Sequence, residues 1–509
     1  MKYNLYKIVS VLAITVAVFS ACTDDYEKLN TNPSLLSADQ LEVGLLLTKV
    51  QKRAIIDYGA YPLNAFGNYA GYSSSGGNLP FNGGFFPSEF SNGYKSLVNI
   101  SEIIRLTTGN AELVNKHSIA RIMRVYIYQH LTDLYGDIPY SDAVKSIDEV
   151  ETQPKYDTQE SIYNDLLNEL EEAADELDAS AISYGASDLI YGGDVDKWKR
   201  FANSLRLRLA LRIIYADASL ATSQIAELIG ADLIESNSGN AFVATSEDFE
   251  SNRNPIYNEI IRVGGVLSPV MTNTLIDILK NNGDPRLSVI AQPTLESANE
   301  AELNNDPGLL VYRGRPLGLD GSEEREHYQP NEVSQIGTWF TQPTLDMPAM
   351  YYSEVCFALA EAKLKLDLGN EAADVWYKKG IRASMEYYGV SEPDIIDFLS
   401  TTVATLSGTE EEQLEQIISQ KNVALFPNST EAWSEWRRTG YPRILIGSMT
   451  GETNGQIPRR INYPTDEINL NSANYQAVSS RIGGDNLTSK VWWDANPNVP
   501  YSHTGNILD

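Results

Sequence analysis

Residues 353–388, SEVCFALAEAKLKLDLGNEAADVWYKKGIRASMEYY, decide the fold class of this chain. The turn at 368–370 contains Gly and Asn, which tolerate the left-handed conformation that ends a helix. Cys356, in the first predicted helix, is interpreted as a small core residue. Gly380, in the second, would let the two helices approach each other closely. The stretch therefore predicts an antiparallel helical hairpin. Apolar residues at the spacing of one helix face define its first helix: Val355, Leu359, Ala362 and Leu366.

The hairpin resembles one tetratricopeptide unit, and such a unit cannot bury its apolar face alone. Similar periodicity marks residues 117–134, 157–177 and 198–213, so we expect these helices to stack with it. Asp157-Thr158-Gln159-Glu160 is interpreted as a capping box that opens the second of them. The third carries four arginines, which in so acidic a chain we expect to form ion pairs rather than an anion site: Arg200, Arg206, Arg208 and Arg212.

The composition limits the possible functions. The 509 residues include 39 Lys and Arg against 68 Asp and Glu, which gives a formal net charge of −29. Nucleic acid is disfavoured as a partner because phosphate binding depends on clustered basic side chains. Two cysteines and four histidines leave no disulfide framework, no thiolate zinc site and little for a histidine site. We therefore predict neither a metal nor a cofactor.

The amino-terminal residues form a targeting segment. Residues 1–21 combine a positive start with an apolar run of about twelve residues, which is too short for an ordinary membrane span. Small residues precede Cys22, as in a bacterial lipobox, so a signal peptide (residues 1–21) and a lipidated tether (residues 22–40) are predicted. The acidic residues directly after Cys22 resemble a surface-export signal. The alternatives are an uncleaved anchor and an ordinary secretory signal.

Residues 41–509 are predicted to form a single domain, with helical pairs mainly within 95–230 and 350–425. The remaining segments are rich in Gly, Asn, Pro and aromatic residues. They are too long and too aromatic for passive linkers, so we expect insertions that pack on a helical scaffold and carry the function. These segments are 58–94, 304–352 and 427–509.

A carbohydrate site needs flat apolar faces for sugar rings, and each aromatic contact contributes about 1 kcal/mol. Two clusters supply candidates, and we expect one or two side chains of each to contact a ligand. The alternative is that these aromatics attach long loops to the core. The first cluster is Tyr72, Phe81, Phe85, Phe86 and Tyr94; the second is Tyr328, Trp339 and Phe340, with Arg313 or Arg315 beside them.

Four tryptophans are interpreted differently. Trp433 and Trp436 are three residues apart and are predicted to pack on one helical face. Trp492 and Trp493 are adjacent, so in an extended segment they would point to opposite sides and one could be exposed.

The sequence carries no familiar catalytic motif. It has no His-Glu-x-x-His zinc helix and no Gly-x-x-x-x-Gly-Lys-Ser/Thr phosphate loop. A glycoside hydrolase needs only two carboxylates at the right separation, and 68 acidic residues leave such a pair open. We predict binding without catalysis, which a lack of reducing-sugar release from candidate glycans would support.

Several segments, taken in order, resemble the SusD/RagB family of nutrient-binding outer-membrane lipoproteins of Bacteroidetes, in its SusD-like second branch. Each segment alone is of modest specificity, but their order is specific and the resemblance covers essentially the whole chain. The segments are LNTNP (29–33), LTDLYGDIPYS (131–141), YDTQESIY (156–163), DKWKRFANSLRLR (196–208), WSEWRRTGYP (433–442) and VWWD (491–494).

The resemblance implies a mainly α-helical fold, with four tetratricopeptide-like helix pairs and a loop-rich ligand face. It also implies a lipid-anchored protein on the outer membrane, facing the cell exterior, that passes oligosaccharides or other nutrients to a SusC-like TonB-dependent transporter. No catalytic or sugar-contacting residues are transferred, and Asp133, Asp137 and Tyr140 are interpreted as capping and turn groups. Two alternatives remain open: a binder of peptides or protein-derived glycans on the same scaffold, and a transporter-gating adaptor with little ligand affinity.

Overall fold

In the computed structural model the chain divides into residues 1–45 and residues 46–509, and, apart from the start of the first helix at Val43, the fold described below is that of the larger unit. Cys22 lies outside the described residues. None of the described helices is both long enough and apolar enough to cross a membrane. The structure describes residues 42–57, 63, 66–74, 81, 87–145, 151–263, 269–319, 321, 326–447, 451–500 and 503.

Helices dominate the described residues, and short strands join distant loops. The strands form antiparallel pairs, β1 with β5, β2 with β3 and β4 with β6. The strands are β1 (Ser73–Ser74), β2 (Ile138–Pro139), β3 (Tyr156–Asp157), β4 (Ala241–Val243), β5 (Val270–Met271) and β6 (Met347–Met350). The α-helices are α1 (Val43–Gln51), α2 (Phe66–Tyr69), α3 (Pro87–Thr107), α4 (Val114–Tyr135), α5 (Gln159–Glu176), α6 (Val195–Arg212), α7 (Ala218–Leu228), α8 (Pro255–Tyr257), α9 (Asn273–Asn281), α10 (Leu287–Ile290), α11 (Leu295–Asn304), α12 (Tyr352–Leu366), α13 (Ala373–Tyr387), α14 (Glu392–Leu399), α15 (Glu410–Leu425), α16 (Ser429–Thr439), α17 (Thr465–Leu470) and α18 (Ser472–Arg481).

Four helix pairs form the scaffold within the described residues: α3 with α4, α5 with α6, α12 with α13 and α15 with α16. Each of α3 to α6 packs on the next, α6 then packs on α12, and α12 packs on α15. The prediction of a mainly helical, tetratricopeptide-like fold is therefore confirmed. The pairs extend beyond the predicted limits, because α3 already begins at Pro87 and α16 lies within the segment expected to be loop-rich.

The hairpin of α12 and α13 forms as its sequence predicts. Asp367 ends α12 in the left-handed conformation (φ 54°), and Gly369 continues the turn (φ 86°). A Cβ placed on Gly380 would lie 2.8 Å from the Phe357 ring, so the absence of a side chain there permits the close approach. Cys356 is fully buried in the core, as predicted.

One predicted helix start was wrong in detail. The N-cap of α5 is Thr158 and not Asp157, and its side chain accepts a hydrogen bond from the backbone N–H of Ser161. The third helical position is therefore Ser161, whereas a capping box needs Glu or Gln there. Asp157 instead accepts hydrogen bonds from the backbone of Tyr140 (3.1 Å) and Ser141 (2.8 Å), where β2 meets β3. A complete capping box does occur in the chain, at the start of α15.

The arginines of α6 form the predicted ion pairs. Arg208 donates to both oxygens of Glu354 on α12, at 2.6 and 2.7 Å, and Arg212 pairs with Glu431 on α16. Arg206 reaches Glu171 on α5 at 2.7 Å. The contacts of Arg208 and Arg212 are buried and connect the second helix pair to the last two, where they satisfy charges that would otherwise be costly inside the core, whereas the Arg206 contact lies within the second pair.

The carboxy-terminal residues return to the first helix pair. The indole Nε1 of Trp493 donates to Asp133 at 2.7 Å, and Asp133 also accepts from the Tyr163 hydroxyl. Trp433 and Trp436 are fully buried, which confirms their predicted packing role. Trp493 is buried, whereas its neighbour Trp492 is half-exposed.

Candidate functional site

Three partly buried aromatic side chains from three separate segments form a surface, here named the aromatic platform: Phe242, Trp339 and Tyr387. The rings of Phe242 and Tyr387 stack, with centroids 5.5 Å apart and planes inclined by 18°. Trp339 meets Tyr387 edge to face at 5.2 Å. The platform is thus a continuous patch of π-surface that remains partly accessible to solvent.

Local structure explains why these rings reach solvent. In β4, successive side chains alternate, so Ala241 and Val243 enter the core and Phe242 points away from it. Tyr387 is the last residue of α13, and its ring lies at the surface. The next residue, Tyr388, turns its ring into the core.

Buried aromatic rings support the platform from below. Phe340 contacts Trp339 at 5.1 Å and Phe426 at 4.8 Å, and Phe426 in turn meets Tyr72 at 5.1 Å. Tyr351 lies edge-on to Phe242 at 5.7 Å. Because edge-to-face contacts restrict ring rotation, this layer holds the platform in one orientation.

Polar groups accompany the platform rings. Burial raises the pKa of the Tyr387 phenol, whose ring lies 5.2 Å from the ring of Tyr351. Thr338 and Gln342 flank Trp339 in exposed positions, and Gln342 Nε2 donates to the Thr338 carbonyl at 2.8 Å. Planar amide and hydroxyl groups of this kind can hydrogen-bond the hydroxyls of a sugar.

Two predicted residues of the first cluster belong to the core. Tyr72 is fully buried and its hydroxyl donates to the carbonyl of Asn422 at 2.5 Å. Phe81 is also fully buried and packs on Tyr69 at 5.6 Å. Their rings attach the surrounding loop to the scaffold, which is the alternative weighed for this cluster.

The other members of the first cluster have separate positions. Tyr94 is half-buried on α3, where its hydroxyl donates to the carbonyl of Pro139 at 2.5 Å and its ring contacts Phe90 at 4.7 Å. Phe85 and Phe86 lie outside the described residues. The cluster therefore does not form one surface among the described residues.

The second predicted cluster splits into two parts. Arg313 places its guanidinium 4.3 Å from the ring centre of the buried Tyr328, and Arg313 Nη1 donates to the His327 carbonyl at 2.6 Å. Trp339 and Phe340 lie together, with Trp339 in the platform and Phe340 beneath it. Trp339 is thus the predicted residue that joins the candidate surface.

Sequence reasoning missed the other two members of the platform. Phe242 lies in a three-residue strand, which is too short to give a periodic signal. Tyr387 lies in the predicted helical hairpin, where only its role in the helix was considered. The adjacent tyrosines 387 and 388 at the end of that helix could have indicated an exposed ring, because consecutive helix residues do not face the same side.

Glu259, which lies outside the platform, has a raised carboxyl pKa. Glu259 lies in the π-helical turn Asn258–Val263, and neither of its buried carboxylate oxygens has a hydrogen-bond partner within the described part of the chain. Burial raises its pKa from 4.5 to about 7. No group of three potential metal-ligating side chains occurs among the described residues.

Comparisons with known proteins place the chain in a family. Residues 68–464 match the SusD-like_2 family model, which is described as starch-binding and associating with the outer membrane. No curated protein gives a significant match.

Solved structures show the same similarity. A chitin-binding protein is 32% identical with a TM-score of 0.77, and the match covers 89% of this chain and 99% of that chain. A chitin-binding SusD homologue from Flavobacterium johnsoniae is 26% identical with a TM-score of 0.74, over 89% of this chain and 98% of that chain. A SusD homologue from Bacteroides uniformis is 25% identical with a TM-score of 0.73, over 89% and 99% of the two chains.

Proposed function

Because the chain belongs to the SusD-like family of starch-binding proteins that associate with the outer membrane, we propose that it captures a glycan at the cell surface through the aromatic platform. The observation that carries this proposal is the partial exposure of Phe242, Trp339 and Tyr387 on rigid aromatic support. The C–H faces of sugar rings are apolar and gain from burial against such rings. An adaptor without ligand affinity would not need an exposed aromatic surface.

Chitin oligosaccharides are the first candidate ligands. Two similar proteins, at 32% and 26% identity over almost their whole lengths, are chitin-binding. Starch oligosaccharides are the second candidate, from the description of the family. Three aromatic contacts, each contributing about 1 kcal/mol, would hold either glycan reversibly. Reversible binding suits capture and transfer without covalent chemistry.

We further propose that the protein delivers this glycan to a SusC-like TonB-dependent transporter. A lipid on Cys22, followed by the tether of residues 22–40, would hold the single domain of residues 41–509 at the outer face of the membrane. Association of the family with the outer membrane supports this arrangement. Co-purification of a TonB-dependent transporter with the tagged protein from outer membranes would test it.

Affinity gel electrophoresis of the full chain in mild detergent tests the glycan proposal. We expect retardation in gels that contain glycol chitin, a smaller effect or none with amylose, and loss of retardation for Trp339→Ala. Trp376→Ala is the matched control, because Trp376 is also only partly buried but lies on α13 under Lys379, outside the platform.

Each result has a distinct meaning. Retardation that persists in Trp339→Ala would reject the platform as the site while keeping glycan capture. No retardation in either gel, or equal loss with Trp376→Ala, would reject glycan capture by the platform altogether.

A further inference from the structure

The strand pair of β4 and β6 forms one edge of the aromatic platform. Phe242 on β4 lies opposite Pro348 on β6. Beyond this pair the two segments stay side by side, because the Thr245 hydroxyl donates to the Leu345 carbonyl at 2.8 Å. The same register places Asp346 beside β4, two residues before Pro348.

Burial alternates along both segments and shows which side chains face outwards. Successive side chains of paired strands point to opposite faces, and residues that lie opposite each other share a face. Asp346 therefore lies on the same outward face as Phe242, as its diagonal neighbour on the adjacent strand, and such neighbours are about 7–8 Å apart. The core-facing side chains are Val243, Thr245, Leu345 and Met347, and the outward-facing ones are Phe242, Ala244, Asp346 and Pro348.

The carboxylate of Asp346 also acts on a second ring of the platform. Burial raises the pKa of the Tyr387 phenol, and the negative charge of Asp346 raises this pKa further. Asp346 is exposed and has neither a hydrogen-bond nor an ion-pair partner in the part of the chain that the structure describes. Arg253, the first basic residue after β4, forms no ion pair with it there.

The other charges beside the platform do not compensate Asp346. Near the end of α13 and at the start of α14, Glu386 and Glu392 share the single cation of Arg382, at 3.5 and 2.9 Å. Asp284 and Arg286 form a fully buried pair against α13, at 2.5 Å, which is neutral overall. The described residues around the platform therefore carry a net negative charge, and the chain as a whole carries −29.

Aromatic rings beside a carboxylate suit a ligand that carries an ammonium group. The face of a ring attracts a cation, and a carboxylate pairs with it through charge-assisted hydrogen bonds. An amino sugar combines such a cation with the apolar C–H face that the platform rings cover. We propose that the platform prefers glycans of amino sugars, with the ammonium group of one unit bound by Asp346. This inference rests on the proposed function, because it assigns a ligand class to the same surface.

Three β-1,4-linked hexasaccharides that differ only in the group on C2 test the inference. Their units are glucosamine (ammonium), N-acetylglucosamine (acetamide) and glucose (hydroxyl). They are titrated by calorimetry into the full chain in mild detergent at about pH 5.5, where an amine is protonated and an aspartate is ionised. We expect the glucosamine hexamer to bind about fivefold more tightly than the glucose hexamer. Equal binding of these two, or equal binding of the N-acetylglucosamine and glucosamine hexamers, would overturn the role of the charge.

Asp346→Asn locates the preference. In this variant the glucosamine hexamer should bind within about twofold of the glucose hexamer, whose own affinity should not change. Asp175→Asn is the matched control, because Asp175 is exposed on α5 and its replacement removes the same charge away from the platform. An equal loss of preference in Asp175→Asn would point to the charge of the whole chain and overturn the inference. A preference that survives in Asp346→Asn would overturn it as well.

Trp339→Ala separates this inference from the proposed function, and it should weaken the binding of all three hexasaccharides. If none of them binds, or if Trp339→Ala changes nothing, the platform is not the glycan site and both proposals fail. If Trp339→Ala weakens binding but the glucosamine hexamer has no advantage, only the present inference fails. Trilysine with blocked ends is the last probe, and binding as tight as that of the glucosamine hexamer would replace the amino sugar by a basic peptide.

Discussion

Arg438 on α16 and Glu361 on α12 form a bidentate ion pair that is closed to solvent. Arg438 donates to both carboxylate oxygens, with Nη2 2.7 Å from Oε2, and neither side chain is more than 1% exposed. Glu435, one helical turn before Arg438, shares the same guanidinium at 2.6 Å. This contact joins the third helix pair to the fourth.

Arg438→Met should destabilise the protein by about 3–5 kcal/mol, because it leaves a buried carboxylate without its cation. Urea unfolding followed by circular dichroism gives the free energy of unfolding. The control Arg443→Gln breaks an exposed pair and should change that free energy by at most about 1 kcal/mol. A smaller loss for Arg438→Met than for the control would contradict the interpretation.

Gly380→Ala should destabilise the protein by about 1–3 kcal/mol, although Ala is the better helix former, because the new methyl group would press on Phe357. Thermal unfolding measures the change. Adding Phe357→Leu should recover part of the loss by removing the ring. Stabilisation by Gly380→Ala alone would show that the close approach of α12 and α13 is not tight.

Tyr387→Ala should weaken glycan retention in affinity gels, whereas Tyr387→Phe should retain most of it. The ring forms the stacked surface with Phe242, and this ring contact does not need the hydroxyl. If Tyr387→Phe loses as much binding as Tyr387→Ala, the hydroxyl rather than the ring face contacts the ligand.

Glu259 should make stability depend on pH. Its pKa of about 7 in the folded protein lies above the ordinary value of 4.5, so the folded state binds this proton more tightly than the unfolded state does. The stabilising contribution of this proton is complete below pH 4.5 and is lost as the pH rises to about 7. Compared with wild type, Glu259→Gln should therefore become relatively more stable over that interval.

Urea unfolding at several pH values between about 4.5 and 8 measures this difference. Glu247→Gln is the matched control for replacing a carboxyl group by an amide, because Glu247 is exposed. A profile for Glu259→Gln parallel to that of wild type would reject the raised pKa.

The helical scaffold could be predicted because its pattern is local. The spacing of apolar residues in α12 and the Gly at 380 depend on neighbours within one hairpin, and the structure reproduces both. The N-cap of α5 could not be predicted correctly from local sequence alone. Asp157 and Thr158 are both good caps, and the pairing of β2 with β3 decides between them by using Asp157 for the turn.

The candidate surface could be predicted only in part, because exposure of a loop aromatic depends on distant residues. Tyr72 is buried by a partner 350 residues away, Asn422, which no local pattern reveals. Trp339 could be predicted as a candidate because it lies in a loop-rich segment that carries further aromatic residues. Phe242 and Tyr387 reach it from other parts of the chain, so their meeting is a property of the tertiary fold alone.

The hydrogen bond between Trp493 and Asp133 can form only late in the synthesis of the chain. The two residues are 360 positions apart, so at about 5–20 residues per second the indole emerges from a ribosome roughly 20–70 s after its acceptor. Arg481, which holds Asp137, is 344 positions behind it and arrives equally late. Until synthesis of the chain is nearly finished, Asp133 and Asp137 therefore lack these two hydrogen bonds.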